Sequence, residues 1–121
     1  MAIVAVFGLS LCVIGGFALA VPLGAARMYG IAISEASTRA YVIAAGLRDL
    51  AIGAWLLGLM ALRVSPRVLG LSIAVLTLIP IGDAIIVWHI SGTSSPLAIG
   101  LHLSSAVVLV VLAWRLWYDS D

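Results

Sequence analysis

The sequence predicts an all-α, antiparallel four-helix bundle embedded in a membrane, and three observations carry that prediction. Of the 121 residues, 64% are hydrophobic and 9% are charged, whereas a soluble domain carries about 25% charged residues. The mean hydropathy is +1.29, which is more apolar surface than one small core can hide, so the remainder is expected to face lipid. The apolar residues also fall into four runs separated by polar breakers. Each run is close to the roughly 20 residues that a helix needs to cross about 30 Å of hydrocarbon.

In chain order the spans are expected at about 2–22, 39–62, 68–90 and 95–118, as one transmembrane domain. The first runs from Ala2 to Pro22 without a charge. Ala18, Ala20 and Ala25 offer the small residues of a cleavage site, but the run has no basic leader and exceeds the length of a signal-peptide core, so it reads as a retained span. A polar stretch from Gly24 to Thr38 follows, containing Arg27, Tyr29 and Glu35 and leading to Arg39. It is expected to lie at the membrane interface, with Ser34 or Ser37 capping a short helix or the second span. The link Arg63-Val-Ser-Pro-Arg67 has room only for a tight turn, so helices two and three are expected to be antiparallel neighbours. The link Ser91-Gly-Thr-Ser-Ser-Pro96 joins helices three and four in the same way, with Pro96 suited to a first helical turn.

Arginine counts suggest an orientation. Arg63, Arg67 and Arg115 fall on one side, while Arg27 and Arg39, partly offset by Glu35, fall on the other. The positive-inside rule then places both termini in the cytoplasm, by three arginines to two. Trp114, Trp117 and Tyr118 would form an inner aromatic belt, with Tyr41 and Trp88 near the outer interface. The net charge of +1, with no lysine among the six basic residues, offers no footprint for nucleic acid. The single cysteine, Cys12, lies in an apolar run and has no partner for a disulfide or a thiolate metal site. No metal and no obligatory cofactor are expected.

The residues that a span should avoid are the informative ones, because a charge at the bilayer centre costs at least about 2.5–3.5 kcal/mol. Arg48 and Asp49 interrupt the second span, nine and ten residues after Arg39. Asp83 interrupts the third, seven residues before Ile90, and His102 lies seven residues into the fourth. At about 1.5 Å per residue these depths agree to within one turn, so the four side chains are expected to converge on the bundle interior in its outer half. Pro80 removes a backbone donor and leaves the Leu76 carbonyl without its helical partner, which predicts a bend just before Asp83. Small residues mark close helix approach at Ala45, Asp49 and Gly53, at Gly100 and Ser104, and at Gly8, Gly15 and Gly16. Helix one is expected to contribute packing and no chemistry.

The Ala45-Gly46-Leu47-Arg48-Asp49-Leu50 segment, the isolated Asp83 and the four-span layout together resemble small four-helix membrane proteins of bacteria and fungi, distantly similar to the DoxX-like superfamily. The resemblance implies the fold. It transfers no catalytic role, although some DoxX-like members are associated with quinone-linked sulfur oxidation.

The expected chemistry is acid–base catalysis on a lipophilic small molecule, by hydrolysis, isomerisation or cyclisation, with epoxide opening as one form. In apolar surroundings desolvation raises a carboxylate's pKa and a neighbouring arginine lowers one, which separates an acid from a base. One of Asp49 and Asp83 would be the general base and the other the general acid. Arg48 would stabilise developing negative charge, and His102 would relay protons. Tyr41, Trp88, Glu35 and Arg39 are the candidates for contacting substrate. Each has a plainer reading: the aromatics as interfacial anchors, Glu35 with Arg39 as an exposed i,i+4 pair, Arg48 with Asp49 or Asp83 as a register-fixing ion pair, and His102 as a partner of Ser105 or a nearby carbonyl. Two other function classes stay open. A homodimer can build a transport pathway with titrating carboxylates, and a redox subunit can hold quinone, or haem between His89 and His102.

Overall fold

The computed structural model of the chain describes residues 1–29 and 36–118. Those residues are helical with short turns and contain no β-strand. In chain order the elements are α1 (Ala2–Ala20), α2 (Pro22–Tyr29), α3 (Ala36–Ala61), α4 (Pro66–Leu76), α5 (Leu78–Ser91), the short 3-10 turn Gly92–Ser94, and α6 (Pro96–Tyr118). Four stretches are long and apolar enough to cross a membrane: Ala2–Ala20, Arg39–Ala61, Pro66–Ser94 and Pro96–Tyr118. They lie within a few residues of the spans expected from the sequence. The chain divides into two helical units, Met1–Arg63 and Val64–Asp121.

In the first unit α1 and α3 are antiparallel and pack through glycine. Gly8 lies against the Gly53 carbonyl and the Leu57 side chain, and Gly15 lies against the Gly46 carbonyl and the backbone nitrogen of Leu50. A methyl group at Gly15 would stand 2.5 Å from that carbonyl oxygen, so the two backbones meet where no larger residue fits. Cys12 belongs to the same seam, with its sulfur 4.0 Å from the Leu50 carbonyl oxygen. Gly16 does not belong to it, since a methyl there would meet nothing within 4 Å.

A short helix lies between the first span and the rest of the polar stretch. Pro22 disfavours helical backbone in the residue before it. Val21 accordingly leaves the helix at φ −132°, ψ 63°, and Pro22 opens a new helix. Pro22, Ala25 and Ala26 of this helix are buried, and Ala18, Ala25, Ala26 and Val42 form one apolar cluster. Eight residues are too few for a stable isolated helix; packing against α1 and α3 holds α2 in place. Ser34 and Glu35 lie outside the described residues.

In the second unit Ser65 caps α4, its hydroxyl accepting from the Val68 amide at 3.4 Å, and Pro66 takes the first helical position. The helix is interrupted just before Pro80, where the sequence predicts a bend: α4 stops at Leu76, and α5 resumes at Leu78 with Pro80 in its first turn. Buried Thr77 lies at the joint, and its hydroxyl donates to the Ile73 carbonyl at 3.0 Å. Gly92 ends α5 at φ 54°, a conformation available to glycine at little cost. Pro96 starts α6. α6 runs antiparallel to α4, with Gly70 against the Ala113 carbonyl and Leu116, and it also packs on α5. Gly100 and Ser104 do not mark a close approach. Both are exposed, a methyl at Gly100 would meet nothing within 4 Å, and Ser104 donates to its own helix at Leu101.

Candidate functional site

Asp49 is buried at 6% residual exposure, the only buried charged residue among those described. It lies ten residues after Arg39 and twelve before Ala61, the ends of its apolar span. The position is thus the midpoint of the helix, where a bare charge in a membrane is most expensive.

Donors occupy both of its oxygens. The Tyr29 hydroxyl donates to Oδ2 at 2.7 Å, and Nε and one terminal nitrogen of Arg48 each donate to Oδ1 at 3.2 Å. An ionised carboxylate only accepts hydrogen bonds, and a phenol at 2.7 Å and a guanidinium are the strong, charge-assisted kinds of donor. Adjacent residues on a helix point about 100° apart, so Arg48 reaches its neighbour only by wrapping its long side chain around the helix. Its side chain is consequently 35% exposed, against 8% for Asp49.

Local folding explains how Tyr29 arrives there. Pro22, Ala25, Ala26 and Tyr29 follow the i, i+3, i+4, i+7 spacing of one helical face. On α3, Val42 and Asp49 are seven residues apart and share a face. Ala25 and Ala26 cover Val42, and two turns of α3 further on, the end of α2 presents its phenol to Asp49. Of the two partners that the sequence offers Arg48, Asp49 and Asp83, the ion pair described is the one with Asp49, and Asp49 points at another helix. That helix is α2, and the pattern Pro22, Ala25, Ala26 and Tyr29 that marks it is hard to see because it runs into the polar stretch from Gly24.

The other expected site residues fall as follows. Asp83 is half-buried on α5 and His102 half-buried on α6, both in the second unit. Ser104 and Ser105, neighbours of His102, donate to the Leu101 carbonyl at 3.0 and 2.8 Å. Tyr41 and Arg39 are exposed on α3, about 12 and 15 Å along the helix axis from Asp49, too far to touch its carboxylate. Trp88 and His89 are exposed at the end of α5. Glu35 lies outside the described residues. Among the described residues no group of three histidine, cysteine or acidic side chains is placed to hold a metal ion.

The first unit therefore defines a class: an all-α protein with apolar, span-length helices and a buried carboxylate clasped by a tyrosine and an arginine. The chain belongs to the family described as a domain of unknown function, DUF4267, which matches residues 8–117. No curated protein and no solved structure matches the chain.

Proposed function

We propose that the chain is a multi-pass membrane protein whose first unit carries an acid–base centre at Asp49 for hydrolysis, isomerisation or cyclisation of a lipophilic small molecule. The observation behind this reading is the Tyr29–Asp49–Arg48 network at the midpoint of an apolar span. Only 22–33% of each span is buried within the protein, which suits helices whose remaining apolar faces are covered by lipid. An ionisable group inside such a span is costly and tends to be retained for chemistry.

In this role Asp49 is the general base. Arg48 holds its second oxygen and keeps the carboxylate in one orientation as the proton load changes.

The test uses the protein in lipid nanodiscs with a panel of long-chain epoxides and β,γ-unsaturated ketones, products being followed by mass spectrometry. Asp49→Asn is expected to keep the helical circular-dichroism spectrum and to lower turnover about 10²–10⁴-fold, the usual contribution of a positioned base. Wild-type turnover in the folded Asp49→Asn protein would overturn the proposal.

A further inference from the structure

We infer that α2 is a lid over Asp49, that it swings about Val21, and that the Tyr29 hydroxyl is its latch. The inference rests on the acid–base reading of Asp49 and adds how a reactant reaches it. Asp49 is 6% exposed, and both of its oxygens hold donors, from Tyr29 and from Arg48. A base so enclosed meets a reactant only after an element moves. α3 carries Asp49 itself, and α1 is fixed to α3 by backbone contacts at Gly8 and Gly15. α2 is the helix of this unit that can leave.

Three features suit α2 to move as one piece. Val21 before it is non-helical, at φ −132° and ψ 63°, so α1 and α2 meet at a joint. The inner face is small: the cluster that Ala25 and Ala26 form with Ala18 and Val42 contains no side chain larger than valine. The outer side is open, with Leu23 58% and Met28 68% exposed and Arg27 exposed between them. A helix of eight residues with so slight an apolar contact belongs to the part of a structure that opens locally at low cost. Tyr29 lies at the end away from the joint, about 10 Å along the helix axis from Pro22, where a given rotation displaces a side chain most. Lifting that end breaks the 2.7 Å hydrogen bond to Oδ2 and uncovers that oxygen, while Arg48 keeps its hold on Oδ1. The base is then open on one side and still oriented from the other.

The probe is dicyclohexylcarbodiimide, a lipophilic reagent to which a carboxyl group adds across a C=N bond. It is applied to the protein in nanodiscs, and the adducts on Asp49 and on half-buried Asp83 are measured by peptide mass spectrometry. Ala26 is 1% exposed, so Ala26→Leu overpacks the contact with α3 and props the lid open while leaving Tyr29 and Asp49 in place. That variant is expected to raise labelling of Asp49 relative to Asp83 about tenfold or more. An unchanged ratio in the folded variant overturns the lid. A second measurement uses the wild type: amide hydrogen exchange in α2 is expected to be at least about tenfold faster than in α1 and α3. Equal protection of the three helices overturns the lid whatever Ala26→Leu does. Neither readout needs a substrate, so the two readings fail separately. If Asp49→Asn keeps wild-type turnover while the labelling ratio rises as expected, the acid–base reading is overturned and the lid stands.

Discussion

Arg48 and Asp49 are neighbours in sequence, and their pairing decides how each responds to substitution. Removing Arg48 alone leaves a carboxylate at the midpoint of an apolar span with Tyr29 as its remaining donor in this network. Hydrogen bonds to charged groups contribute about 1.5–3 kcal/mol. Breaking a fully buried pair costs about 3–5 kcal/mol, and the partial exposure of the Arg48 side chain places this pair in the lower range. Arg48→Met is therefore expected to destabilise by about 1.5–3 kcal/mol, whereas Arg48→Met combined with Asp49→Leu should recover much of that loss, because no bare charge remains. Unfolding of the wild type, Arg48→Met, Asp49→Leu and the double variant in one detergent decides the point. A double variant at least as unstable as the sum of its parts would show that the two side chains are not coupled.

Elements differ in how visibly the sequence announces them. The four spans are legible because each is a run of apolar residues bounded by arginine, proline or serine-rich links, and the joint at Thr77 follows from Pro80 four residues after Leu76. α2 is harder to see. It is eight residues long, and its buried face is built from proline, two alanines and a tyrosine, so no hydrophobic run marks it. Its existence depends on Ala18 in the preceding helix and on Val42, further along the chain, contacts that periodicity does not report. The candidate site was correspondingly half legible: Arg48 and Asp49 stand out as charges in an apolar run, while Tyr29 becomes a site residue only once α2 folds back. The glycines of α1 show the same limit. Gly15 and Gly16 are indistinguishable as a pair of small residues, yet the helix turns one toward α3 and the other away. Gly15→Ala would drive a methyl to 2.5 Å from the Gly46 oxygen and 2.6 Å from the Leu50 nitrogen. Both are backbone atoms that yield only if α3 moves, a cost of about 1–3 kcal/mol. Gly16→Ala meets nothing within 4 Å and is expected to stabilise by up to about 1 kcal/mol through helix propensity. Opposite shifts in melting temperature are the expected result, and equal shifts would remove Gly15 from the seam.

On the scale of the whole molecule, the multi-pass reading carries a prediction about the direction in which the spans cross. Hydropathy is symmetric about the bilayer, so orientation rests on the arginines at the span ends. Arg63 and Arg67 flank one link, and Arg115 lies in the last turn of α6; Arg27 near the end of α2 and Arg39 at the start of the second span oppose them. Three against two favours the Arg63–Arg67 link in the cytoplasm. With Cys12 replaced by alanine, Ser65→Cys should react with an impermeant maleimide only after the membrane is opened, and Thr93→Cys should react in intact spheroplasts. Reversed labelling would invert the orientation, and labelling of both positions from one side would mean that Pro66–Ser94 does not cross. The narrow margin makes a second outcome equally specific. Arg67→Ala evens the count at two against two, so each cysteine should then label from both sides in a mixed population. A topology left uniform by that change would show that something other than the arginine balance sets it.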